Sequence, residues 1–126
     1  MKNKLVELSN RLLELPQEIA DLQLEILQKS NQMQNVSKEI ISAETKIRVN
    51  IANKVDENGK KVYSNEDARK AAFQEFTESD FELNELKEKS AKLDQENQEL
   101  KIKLEFYGNE QRNIRSILQF FATAVE

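Results

Sequence analysis

The chain has no cysteine, no histidine and no tryptophan. Without cysteine there is no disulfide, no thiolate metal ligand and no thiol nucleophile. Without histidine the commonest general base and metal ligand is missing as well. A catalytic triad or a zinc site needs one of these two residues in nearly every version, so no catalytic residue, no metal site and no cofactor is expected. Two glycines and one proline are too few for an all-β or loop-rich fold. No apolar run approaches the ~20 residues of a membrane span. The first residues, MKNKLVELSNRLLELPQEI, place Glu7 and Glu14 inside their apolar part and lack the uninterrupted centre of a signal peptide. A soluble, cytoplasmic protein with no membrane partner is expected.

What is present is charge mixed with aliphatic residues. Charged residues make up 33% and hydrophobic ones 38% of 126, the mixture of solvated helices and coiled coils. Net charge is −4 and unevenly spread. Residues 1–53 are balanced, residues 54–70 carry a slight excess of base, and residues 71–126 hold most of the acid. No basic face reaches the scale that non-specific nucleic-acid binding requires.

Two seven-residue ladders organise the chain. The first runs Leu5, Leu12, Ile19, Ile26, Met33, Ile40, Ile47, apolar at every step. Three residues after each stand Leu8, Leu15, Leu22, Lys29, Val36, Ala43 and Asn50. Such an a/d series predicts a helix that buries one seam. A further row, Val6, Leu13, Ala20, Leu27 and Ile41, follows one residue behind. It predicts a buried face wider than a two-helix seam. Pro16 leaves the phase intact, so a kinked helix or two abutting ones is expected. The second ladder has Leu86, Leu93, Leu100, Tyr107, Ile114 and Phe121 at d, and Phe76, Leu83, Ser90, Asn97, Leu104, Gln111, Leu118 and Val125 at a. Polar residues at a lower stability but fix register and partner number.

Between the ladders lies KVDENGKKVYSNEDARK. Asn58-Gly59 is a strong hairpin-turn signal. As a two-residue turn it sets Glu57 against Lys60 and Val55 against Val62. Ser64, or alternatively Asn65, then offers a cap for a new helix. The expected organisation is a single all-α domain, residues 1–126, folded as a long antiparallel helical hairpin or coiled coil. Its first arm covers about 2–53, a β-turn tip about 54–64, and a second arm about 65–124, which Gly108-Asn109 either breaks near 108 or sits within as the heptad phase continues. A bend centred near Gly59 and Lys60 sets Lys29 opposite Ser90. Such wide apolar faces, with Ile117, Phe120 and Phe121 left over, imply a homo-oligomeric helical bundle, most simply a dimer.

Several motifs have a plainer reading beside a functional one. Asp56-Glu57-Asn58-Gly59-Lys60 fails the spacing of a Ca²⁺ loop, which needs glycine sixth and an acceptor fifth. The acidic series from Glu75 to Glu99 reads as a solvated helix face, with nucleic-acid mimicry as its alternative. Lys60, Lys61, Tyr63, Arg69 and Lys70 are the tip residues for contacting phosphate and stacking a base; the plainer reading is a solubilised bundle end. Phe73, Phe76 and Phe81 read as core or interface near the tip. Ile102, Phe106 and Phe120 are the partner-binding candidates.

The stretches DENGKKVYSNEDARKAA and LKIKLEFYGNEQRNIRSIL, set about long helices, resemble small helical-hairpin proteins of bacteriophages and integrative elements found in DNA recombination and replication modules. The resemblance covers roughly residues 50–118 and brings no catalytic residues. It implies a non-catalytic accessory protein in a bacterial host cell. Such a protein would act on an unidentified protein partner, such as a recombinase, a nuclease or a host or satellite regulator. The alternatives are a nucleic-acid-binding accessory that uses the basic tip, and a structural or scaffolding protein of virion assembly.

Overall fold

The computed structural model describes residues 2–125. It is all-α, as the ladders require: α1 (Lys2–Asn53), α2 (Glu66–Ser79) and α3 (Phe81–Val125), with no strand among the described residues. The chain divides into two compact units, one of Met1–Ser30 with Gln95–Glu126, the other Asn31–Asp94.

In the first unit a segment of α1 and a segment of α3 run antiparallel. Arg11 reaches Glu110 while Lys29 reaches Glu96 and Asn97 donates to Ser30 Oγ at 3.2 Å. Leu15, Leu22 and Ile114 are buried. Leu5, Leu12, Ile19, Ile26, Leu100, Tyr107 and Phe121 are half-buried. The following row is not a second seam: Val6, Leu13 and Leu27 are exposed. One helical neighbour covers one stripe, and these residues stand a full ~100° step around the helix from it. Ile41, of the same row, is likewise exposed in the second unit.

Lys29 therefore lies level with Asn97 rather than Ser90, one heptad further along. The expected heptad phase is unchanged, but the expected register is corrected by seven residues. A seven-residue repeat matches itself after every such slip, so apolar rows alone leave the choice open. The new register sets Leu22 level with Leu104, where the expected one set it against Asn97.

Pro16 sits inside α1, exposed, directly after fully buried Leu15. It lacks the amide that would bond to the carbonyl of Leu12. Burial of the flanking ladder residues carries the helix past it. Gly108 is likewise helical: of the two courses open at Gly108-Asn109, α3 takes the continuous one. The break falls at Asp80, an extended residue (φ −80°, ψ 113°) whose Oδ1 accepts the Leu83 amide at 2.8 Å. Asn84 Nδ2 donates to the Glu78 carbonyl at 2.9 Å, tying the end of α2 to the start of α3. Aspartate favours this N-cap geometry, and glycine without a positive φ only weakens a helix.

The second unit packs residues 31–53 of α1, α2 and residues 81–94 of α3 around Val36, Ile51, Ala72, Leu83 and Leu93. Met33, Ile40, Ile47 and Leu86 are half-buried. From Leu83 to Phe121 every a and d position is at least half-buried; the side chain of Val125 lies outside the described residues.

Gly108→Ala should stabilise the protein by about 1 kcal/mol, since alanine is the better helix former. Its Cβ would meet only Arg112 Nη1, at an ordinary 3.8 Å. Asp80→Ala should destabilise by about 1 kcal/mol through loss of the cap. Thermal melts followed by circular dichroism read both. A melting temperature unmoved by Asp80→Ala would mean the cap contributes nothing.

Candidate functional site

The tip is built from short-range bonds. Asp56 Oδ1 accepts the amides of Asn58 (2.9 Å) and Lys60 (3.0 Å). The Gly59 amide donates to the Asp56 carbonyl at 3.0 Å, and the Asp56 amide to the Lys60 carbonyl at 2.8 Å. This is a three-residue loop, Glu57-Asn58-Gly59, not the expected two-residue turn. Gly59 alone has a positive φ, +78°. The aspartate side chain holds the preceding residues in an ordinary turn and leaves the left-handed step to glycine. Val55 accordingly bridges Lys61, and the Val62 amide meets the Lys54 carbonyl at 3.0 Å. The pairing of Val55 with Val62 is corrected by one residue. Asn65 caps α2, accepting the Ala68 amide at 2.8 Å.

The five tip candidates meet different fates. Lys61 Nζ donates to the Ala52 carbonyl at 2.7 Å. It supplies the cation that the last turn of α1 lacks. Arg69 Nη1 donates to the Tyr63 carbonyl at 3.3 Å. Tyr63 is half-buried, edge-on to Phe76 at 6.5 Å. Lys70 pairs with Glu66 at 3.4 Å, and Lys60 is exposed. Arg69 and Lys70 also line a cleft of about 600 Å³ with Arg48, Ile51, Ala52, Glu66 and Phe73. Sequence reading missed Arg48, whose guanidinium lies 4.4 Å from the Phe73 ring centre. Its only signal was a cation ending the row of Val6, Leu13, Ala20, Leu27, Gln34 and Ile41. The three aromatics near the tip separate: Phe73 is half-buried, Phe76 partly exposed, and Phe81 largely exposed.

The first unit holds the main ionic cluster. Arg11 binds Glu110, Glu18 and, at 3.4 Å, Glu14, and lies 5.4 Å from the Tyr107 ring centre. Its guanidinium is pushed further towards the charged form, first by the hydrogen bond to Glu110, against a smaller opposing effect of burial, and then by Glu18. Arg11 is thus a permanent cation shared by three carboxylates. Lys29, Glu96, Asn97 and Ser30 form the polar layer one ladder step beyond Ile26 and Leu100.

The partner-binding candidates lie on the outside: Ile102, Phe106 and Phe120 are 67%, 63% and 68% exposed. Leu13, at 80%, Val6, Leu24, Leu27 and Ile117 join them in the same unit. The sequence sets Val6, Leu13 and Leu27 on a face too wide for one neighbour, whereas Leu24 carries no such signal. Among the described residues no cluster of three potential metal ligands occurs, and no helix is long and apolar enough to cross a membrane. No family model, curated protein or solved structure matches the chain.

Two tests follow from the polar layer. The chain has no native cysteine, so Lys29→Cys with Asn97→Cys should be joined within one chain by a short thiol cross-linker. Failure to join them would overturn the register. Lys29→Leu with Glu96→Leu should hold or raise the melting temperature, since both partners of a half-buried ion pair are replaced by apolar residues.

Proposed function

We propose that this is a non-catalytic accessory protein that works through protein–protein contacts, itself a homo-oligomer built from antiparallel helical hairpins with a coiled-coil seam. The observation that carries the reading is the number of large apolar side chains that the single chain leaves uncovered in its first unit, Leu13, Ile102, Phe106 and Phe120 foremost. Exposed apolar surface arranged on helix faces supports association, because covering it removes it from water at about 25 cal/mol per Å². Two chains are the fewest that can cover any of it. The phage or mobile-element setting, the cytoplasm of a bacterial host and a partner among recombinases, nucleases or regulators belong to the same proposal. These rest on the resemblance of the tip and second ladder.

The nucleic-acid reading draws support from the cleft beside Arg48, Arg69 and Lys70. Against it, Lys61, Arg69 and Lys70 already serve Ala52, Tyr63 and Glu66.

Sedimentation equilibrium at micromolar concentration should give at least twice 14.7 kDa. A mass that stays at one chain would remove the oligomer. Ile102→Ser with Phe106→Ser should abolish capture of a partner from nuclease-treated host lysate while leaving helicity intact. Single-stranded DNA should not bind at physiological salt. Tight binding that falls roughly 10³-fold between 50 and 200 mM salt, and is lost in Arg48→Ala with Lys60→Ala, would replace this reading with the nucleic-acid one.

A further inference from the structure

The exposed apolar residues of the first unit form two stripes, one on each helix, and their charged surroundings differ in sign. On α1 the stripe is Val6, Leu13, Leu24 and Leu27. Between Leu5 and Leu27 that segment carries Glu7, Glu14, Glu18, Asp21 and Glu25 against Arg11 alone. On α3 the stripe is Ile102, Phe106, Ile117 and Phe120. Between Leu100 and Phe121 that segment carries Lys101, Lys103, Arg112 and Arg115 against Glu105 and Glu110. The minority charges Arg11 and Glu110 are turned onto each other across the seam. What remains outside is acidic along α1 and predominantly basic along α3.

We infer that the α1 stripe of one copy docks on the α3 stripe of another copy. This rests on the self-association proposed above and says which faces meet. One observation selects this pairing over α1 on α1 or α3 on α3, and two more make it possible. Opposite charges flank the two stripes, whereas like faces would bring acid to acid or base to base, which opposes association. The stripes have nearly equal reach, Val6 to Leu27 and Ile102 to Phe120, each about 30 Å at 1.5 Å per residue. Each lies on the side of its helix turned away from the shared seam, so neither is occupied within the chain.

The contact is head-to-tail. A copy seated on the α1 stripe leaves its own α1 stripe uncovered, and the partner's α3 stripe receives nothing in return. Such a contact does not close as a pair; it continues into a ring or an open series. Association should therefore not stop at two chains.

The test uses two full-length variants. Glu7→Lys with Asp21→Lys and Glu25→Lys makes α1 basic, and Arg112→Glu with Arg115→Glu makes α3 acidic. Glu7, Asp21, Glu25, Arg112 and Arg115 are all exposed, and circular dichroism checks that both variants stay helical. Wild-type mass by sedimentation equilibrium should rise past twice 14.7 kDa with concentration. Each variant alone should associate at least about tenfold more weakly at low salt, because its two faces now share a sign. An equimolar mixture should regain wild-type association, since each reversed face then meets its complement on the other variant. High salt should narrow these differences. Wild-type chain that stays monomeric would sink self-association itself. Wild-type chain that associates but stops at two, variants that associate as the wild type does, or a mixture no better than its parts would overturn this pairing and leave self-association standing.

Discussion

Burial of a seven-residue row against one neighbouring helix is the constraint from which the rest follows. A helix turns about 100° per residue, so positions a and d fall on one narrow stripe. In the first unit that stripe is covered by a single partner segment, and Leu15, Leu22 and Ile114 disappear from solvent there. Everything a full step around the helix stays outside, whatever its hydropathy. The same geometry that buries Leu15 leaves Leu13 four-fifths exposed. It also carries α1 past Pro16 and α3 past Gly108, because the row continues on both sides of each.

Polar residues decide what the apolar row leaves undetermined. Aliphatic ladders slide by a heptad at little cost, since each step presents a similar surface. Lys29, Glu96, Asn97 and Ser30 do not, because a half-buried charge or amide away from its partner loses its hydrogen bond and keeps its desolvation cost. At the tip the lysines and arginines do similar work at shorter range. Lys61 closes the end of α1, and Arg69 holds the carbonyl of Tyr63. Those two cations thereby serve the fold, while Lys60 and Lys70 remain exposed.

Local chemistry made much of this readable in advance. The helical class, both ladders, the end of α1 near Asn53 and the reversal at Gly59 all depend on residues within a turn or two of each other. The sign for the break at Asp80 was also in the sequence, as a d position held by Ser79 with an aspartate beside it. Phe76 and Leu83 keep the seven-residue spacing across it and so mask it. The partner-binding candidates Ile102, Phe106 and Phe120 are legible as apolar residues on outer positions, and Val6, Leu13 and Leu27 as a face too wide for one neighbouring helix.

By itself, then, the sequence determined which residues are helical and which stripe of each helix seeks burial, because propensity and periodicity act along the chain. Tertiary structure alone decided which heptad of α1 meets which heptad of α3, how the tip cations are spent, and that the second apolar row of α1 remains uncovered. Those outcomes depend on how many neighbours a helix has and on polar bonds between residues far apart in sequence, such as Lys29 with Glu96 and Arg11 with Glu110. A repeating pattern is compatible with several such pairings, and only the bonds formed across the seam distinguish them.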